Sequence, residues 1–173
     1  RLRVGEEHLV SQAMAEVLLK LRTDIREEME AGRGGAPAPV AVVGTMEGNQ
    51  HHLGSLCVRL LLERLGWEVY YLGPDVPVED FAVIQRGRQA SLACISMAPM
   101  APPGDLARAV RILGEFYDPA SPYALAFGGS VPDEQMADLL QGPFEDARVF
   151  GSCVDFRQAI QAGFGAPAVG SLR

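Results

Sequence analysis

The sequence predicts a doubly wound α/β domain, a parallel sheet with helices on both faces, entered through one long helix. Three observations carry that prediction. Beyond residue 39, five short apolar runs alternate with helical patterns, and βα units in series close as a parallel sheet with right-handed crossovers. The run Leu92-Ala93-Cys94-Ile95-Ser96 is apolar throughout its body, as a strand covered on both faces must be. Finally, Val40-Ala41-Val42-Val43 gives way to the loop Asn49-Gln50-His51-His52-Leu53-Gly54 and then to a helix. That order puts two histidines at the carboxyl end of a strand, where open α/β sheets bind ligands.

The elements follow in order. Residues 6–30 read as one helix, with Val10, Met14, Val17, Leu18, Leu21 and Ile25 recurring at three- and four-residue steps. Its first half is apolar over more than one stripe, so it is predicted to need partners on several sides, as the end of a helical bundle does. Arg26-Glu27-Glu28 is a solvated face. Residues 31–39 carry three Gly and two Pro without apolar periodicity and form a linker. A strand at 40–43, a helix at 55–65 stopped by Gly66, and a strand at 67–72 come next. Gly73-Pro74-Asp75-Val76-Pro77 reads as a turn whose Pro77 opens a helix over 78–89. A third strand, 92–96, leads through a loop to a helix over 106–116, and a fourth, 123–127, ends in Gly128-Gly129. Ser130-Val131-Pro132-Asp133 has the form of a capping box opening a helix to residue 140. A short strand at 148–150, a helix at 155–162 and a weakly ordered tail from 164 complete the chain. The predicted organisation is therefore a helical segment at 1–30, a linker at 31–39, an α/β domain at 40–163 and a tail at 164–173. A flavodoxin-like (Rossmann-like) strand order 2-1-3-4-5 places the switch point between the first and third strands. His51, Ser96 and Gly128-Gly129 then share one rim.

Composition narrows the function. The formal charge is −7, and the 15 basic residues, 14 of them arginines, are scattered. Direct contact with nucleic acid requires a concentrated basic face and is not expected. No apolar run approaches the ~18 residues of a membrane span, and Arg1-Leu2-Arg3 is not a secretion signal. The protein is read as cytoplasmic, and without an initiator Met as a piece of a longer chain. Three widely spaced cysteines, Cys57, Cys94 and Cys153, fit reduced thiols rather than a disulfide framework or a CxxC metal site.

The candidate site is a slot. Glycines at strand ends let a backbone approach something bulky, Gly54 at a helix start suits an anionic or polar group, and Ser96 at the end of a buried strand can hydrogen-bond a heterocycle or sugar. The set lacks an acid/base centre, so the chain is read as not being an enzyme. His51 is the candidate ligand for a metal that arrives inside a cofactor.

These fixed points resemble the cobalamin-binding domain, whose motif is DxHxxG, about forty residues to SxL, and under thirty more to GG. Here 41 residues separate Gly54 from Ser96 and 29 separate Ala98 from Gly128. The resemblance, over about residues 39–163, implies that His51 ligates cobalt from below in place of the cofactor's benzimidazole. It further implies that Gly54, Ser55, Leu56, Ser96, Ala98, Gly128, Gly129 and Ser130, with Asn49 and Gln50 in the histidine loop, hold the cofactor and its nucleotide tail. Three departures stand out: Asn49 replaces the motif's Asp, SxL is Ser96-Met97-Ala98, and the Ser completing the relay of methyl-transferring members falls at Pro102. Asn cannot ionise, and Pro has no hydroxyl. The site looks suited to holding a corrinoid more than to cycling it.

Tyr71-Leu72-Gly73-Pro74-Asp75-Val76-Pro77, the preceding Gly66-Trp67, and Glu7-His8-Leu9 are similar to the cobalamin domains of light-responsive regulators. Those are the MerR-type carotenoid-gene repressors and the stand-alone cobalamin-binding antirepressors of photosynthesis genes. By that resemblance Glu7 and His8 cap the upper face of the corrin, with His8 a contact to the upper side of the metal. The implied function is a photoreceptor in which light changes the upper cobalt ligand and shifts contacts with a partner transcriptional repressor or a second copy. The form of the cofactor, adenosyl-, methyl- or hydroxocobalamin, is left open. The competing readings are a corrinoid carrier module of a methyltransferase or mutase, a haem-binding variant of the fold, which would need no tail channel, and a flavodoxin-like binding module. Thr45-Met46-Glu47-Gly48-Asn49 offers a flavin phosphate an acidic group rather than a phosphate loop.

Overall fold

The computed structural model describes residues 4–32, 37–97, 104–129, 142–144 and 146–167. Within them the alternation of the sequence becomes five strands, β1 (Val40–Met46), β2 (Glu68–Val76), β3 (Leu92–Ser96), β4 (Ala124–Gly128) and β5 (Ala147–Phe150). All four ladders are parallel and the order is β2-β1-β3-β4-β5, the predicted 2-1-3-4-5. The helices are α1 (Val4–Gly32), α2 (Leu53–Arg64), α3 (Val78–Arg88), α4 (Asp105–Glu115) and α5 (Cys153–Gln161). The helix expected over residues 133–140 lies outside the described residues.

Side-chain alternation along the strands makes two cores. Val42, Ala93, Ile95, Leu125 and Phe127 face α3 and α4 with Phe81, Leu106 and Leu113. Ala41, Val43, Cys94 and Ala126 face the other way, toward Leu62 of α2 and Phe156 and Ile160 of α5. Both faces being covered, the central strands are apolar at every position of their bodies.

Two segments depart from the sequence reading. Residues 73–76, expected as a turn, continue β2, so that Met46 pairs with Val76 across two register shifts. Gly73 (φ 92) and Asp75 (φ 58) take left-handed conformations that absorb the irregularity. Because β2 is the edge strand, Pro74 breaks no ladder by lacking an N–H. Likewise the packed body runs past residue 163. Phe164 is buried with its ring 5.4 Å from that of Phe150, and Ser91 Oγ donates to Gly165 O at 2.7 Å. Apolar burial of one ring fixes a stretch that composition alone presents as a tail; residues 168–173 lie outside the described residues.

On α1, Ser11, Ala15, Leu18, Arg22 and Ile25 form the less exposed stripe, at steps of four and three that keep one face of a helix. It lies along α2, where Glu63 accepts from Arg22 Nε at 2.9 Å and from Arg59 Nε at 3.1 Å, and Arg64 pairs with Glu28 at 3.1 Å. Leu9, Val10, Met14, Val17 and Leu21 are exposed. Among the described residues no helix is long and apolar enough to cross a membrane.

Candidate functional site

The histidine loop leaves the carboxyl end of β1 and is tied down residue by residue. Asn49 N–H donates to Met46 O at 3.1 Å, and Glu47 N–H to Val76 O at 2.9 Å. The Asp75 carboxylate accepts from Gly48 N–H at 2.8 Å and from Gln50 Nε2 at 3.0 Å, so one side chain on the β2 bulge holds both neighbours of Asn49. Asn49 Oδ1 accepts His51 N–H at 2.9 Å, a local side-chain-to-backbone bond of the Asx type. The acceptor oxygen at the motif's Asp position is thereby spent on backbone rather than on the imidazole. Asn49 is 2% exposed, and its Nδ2 is buried without a partner among the described residues. The His51 ring is exposed and makes no hydrogen bond among them. The His52 ring is engaged locally, its Nδ1 lying 3.2 Å from Gln50 O.

Three hydroxyls anchor the far end of the loop. Ser55 Oγ donates to His52 O at 2.8 Å. Its one proton is committed there, because a carbonyl can only accept. The contacts to Thr45 Oγ1 at 3.0 Å and Tyr71 Oη at 3.2 Å therefore run the other way, both hydroxyls donating to Ser55. Thr45 is fully buried, so this network links β1, β2 and the first turn of α2.

Beside the loop, between α2 and α5, a cavity of about 200 Å³ opens over the sheet. Register explains its shape. Thr45, Ser96, Gly128 and Phe150 form one row across β1, β3, β4 and β5, and Val43, Cys94 and Ala126 form the row beneath it on the same face. Gly128 opens the row, since a Cβ added there would meet nothing within 4 Å. Gly129 serves differently: its φ is 119 and an added Cβ would lie 2.7 Å from Met97 O. A Cβ on Gly54 would stand 3.8 Å from Ser96 Oγ, at the mouth. Gly151, Ser152 and Cys153 close the far side, where Ser152 caps α5 by accepting Asp155 N–H at 3.1 Å.

The structure thus brings His51, Gly54, Ser55, Ser96, Gly128 and Gly129 to one rim. Gln50 points to Asp75, and Leu56 is buried and does not line the cavity. Ala98, Pro102 and Ser130 lie outside the described residues, as do the side chains of Glu7 and His8 on α1. Sequence reading missed Asp75, Thr45, Tyr71, Ser152 and Phe156. The spacing Ser152-Cys153-Val154-Asp155 was an available capping signal, whereas no local pattern marks Asp75 as the clamp on the histidine loop.

The cavity's described lining is largely apolar. It has no charged side chain, and burial pushes the Cys94 thiol well above the ordinary range, leaving it neutral. Burial also raises the Cys153 and Cys57 thiols, and all three cysteines are free. Among the described residues no three His, Cys, Asp or Glu side chains converge, so a metal at His51 would bring its other ligands with it. An uncommitted imidazole, a buried unpartnered amide and an open chamber beside them fit a large cofactor with an appendage.

No family profile matches the chain. The dimethylamine corrinoid protein of Methanosarcina barkeri is 30% identical over 76 residues, 44% of this chain and 35% of that protein; the chain spans about a third of that relative's length. Among solved structures, the monomethylamine corrinoid protein of Methanosarcina barkeri superimposes with a TM-score of 0.70 at 18% identity, covering 93% of this chain and 72% of its own. A cobalamin-binding protein of Desulfitobacterium hafniense DCB-2 gives 0.62 at 18%, covering 92% and 75%. The methanol:cobalamin methyltransferase complex of Methanosarcina barkeri gives 0.58 at 19%, covering 77% and 50%. The five-stranded parallel fold of this chain is the fold of those corrinoid-protein structures.

Proposed function

We propose that the chain is a non-catalytic corrinoid-holding module that presents its cofactor to a partner protein. His51 is its lower cobalt ligand, and Gly54, Ser55, Ser96, Gly128 and Gly129 border the channel for the nucleotide tail. The observation that carries this reading is the cavity itself, open beside Ser96 and left clear at Gly128, where an added Cβ would meet nothing within 4 Å. A haem-binding variant would leave no use for it. When bound, the cobalt centre supplies an exchangeable upper-face ligand; the chain supplies the imidazole below, the chamber, and exclusion of water from the buried tail.

As to what the module serves, the relatives favour a carrier of a methyltransferase system, with a methyltransferase as partner. A second reading, a light sensor acting on a repressor or on a second copy, is favoured by Asn49. Its acceptor oxygen is taken by backbone, and an amide cannot share in the proton changes that accompany cobalt cycling. The exposed apolar stripe of α1 supports reading residues 1–30 as part of a larger helical cap under either view.

The test is the absorption spectrum of protein reconstituted with cobalamin, in the dark and after green light, compared with His51→Ala. Binding with a spectrum that His51→Ala leaves unshifted would remove His51 as ligand. A carrier accepts a methyl group from a donor enzyme, and illumination leaves its oligomeric and partner state unchanged. A sensor changes its spectrum together with its oligomeric or partner state.

A further inference from the structure

The cavity is graded, and the gradient bears on which cofactor it takes. At its mouth lie the backbones of Gly54, Gly128 and Gly129 and the hydroxyls of Ser55, Ser96 and Ser152. Ser55 Oγ is committed to His52 O, Thr45 and Tyr71, and Ser152 Oγ to Asp155. Ser96 is the hydroxyl of the lining that makes no hydrogen bond among the described residues. One row deeper the floor is Val43, Cys94 and Ala126, and the walls are Val58, Phe150 and Phe156. The floor's backbone amides and carbonyls belong to β ladders, and Cys94, a neutral thiol, is a weak donor. Among the described residues nothing at this depth can satisfy a polar edge.

We infer that the chamber selects among cobamides by the lower base at the end of the tail, favouring an apolar benzimidazole over a purine. This rests on the corrinoid reading above. The sugar and phosphate portion stays at the polar mouth, while the base is pressed onto the floor. A dimethylbenzimidazole displaced from cobalt has carbon around most of its perimeter. An adenine carries an exocyclic amine and additional ring nitrogens, each losing water with no partner to replace it. An unmatched buried polar group weakens binding by about one to two decades. The preference for the benzimidazole cobamide is therefore tenfold or more.

The experiment is equilibrium dialysis of the folded chain, in the dark, against cobalamin, its adenine-bearing counterpart and the tail-less cobinamide. The cobalt spectrum reports ligation by His51 in each case. Cobalamin should bind at least tenfold tighter than the adenine form. Ala126→Ser, which adds a hydroxyl to the floor, should shrink the ratio severalfold by rescuing the adenine form. Equal binding of the two tailed forms, with His51 ligating both, overturns the inference while leaving the corrinoid reading intact. A ratio unchanged in Ala126→Ser overturns it too, since selection would then arise elsewhere. Failure of all three ligands to bind defeats the corrinoid reading itself.

Discussion

Gly128 and Gly129 are adjacent, yet substituting them should have opposite consequences. A side chain on Gly128 enters the cavity, where its Cβ meets no atom within 4 Å and the backbone is not left-handed. Gly128→Leu should leave the apo fold within about 1 kcal/mol of the parent, because removing a glycine from a strand returns roughly 0.5–1 kcal/mol of chain entropy. The same side chain occupies the chamber, so cobalamin affinity should fall at least a hundredfold, about 2.8 kcal/mol at 1.4 kcal/mol per decade. Gly129→Ala adds one methyl, but at φ 119 and 2.7 Å from Met97 O. Backbone strain of about 1–3 kcal/mol is joined by a clash with a carbonyl that cannot swing aside, so unfolding should come about 2–4 kcal/mol earlier. Urea denaturation of the apo protein and equilibrium dialysis against cobalamin separate the two effects. Parental affinity in Gly128→Leu would show that nothing passes over that glycine. Parental stability in Gly129→Ala would refute the steric argument.

Further consequences can be checked with the same assays. Asp75→Ala removes the acceptor for Gly48 N–H and Gln50 and should cost about 1–2 kcal/mol while weakening cobalamin binding; Asp75→Asn keeps one acceptor and tolerates the left-handed φ, so it should be milder, and equal effects would argue against the clamp. Glu63→Ala leaves Arg22 and Arg59 facing each other beside a mostly buried position and should cost about 1–3 kcal/mol, below the range for a fully buried pair because Arg22 is partly exposed; a loss under 0.5 kcal/mol in denaturant would mean that α1 docks without this contact. Burial holds the Tyr123 phenol and Cys94 thiol above their ordinary values of 10.0 and 9.0. The stability from keeping them protonated is full below those values and is lost as pH rises through the raised ones. Tyr123→Phe should flatten this alkaline decline and, since the hydroxyl is buried without a partner among the described residues, be neutral or stabilising by up to about 1 kcal/mol; a destabilised variant with an unchanged alkaline slope would contradict both points.

Most of the fold could be read from local pattern because strand and helix are repeating structures. Alternating apolar runs located β1, β3 and β4 to within a few residues, and the covered sheet follows from the continuous apolar run at 92–96. β2 was cut short at Leu72 because Gly, Pro and Asp in succession carry turn chemistry, whereas an edge strand with a bulge accommodates all three. Phe164 was missed for the converse reason, as a single aromatic in a glycine-rich stretch has no period to betray its burial.

By itself the sequence determined the alternating architecture and, once the flavodoxin-like order that the structure bears out is adopted, the arrival of His51, Ser96 and Gly128-Gly129 at one rim, because strand ends in a parallel sheet all point the same way. The tertiary structure alone decided what each rim residue does there. Asp75 reaches the histidine loop across 27 residues, Asn49 turns its oxygen to backbone, Ser55 gathers two hydroxyls, and Gly128 opens a cavity that Gly129 only borders. Those facts depend on register between strands and on where unlike segments meet, which no window along a single chain contains.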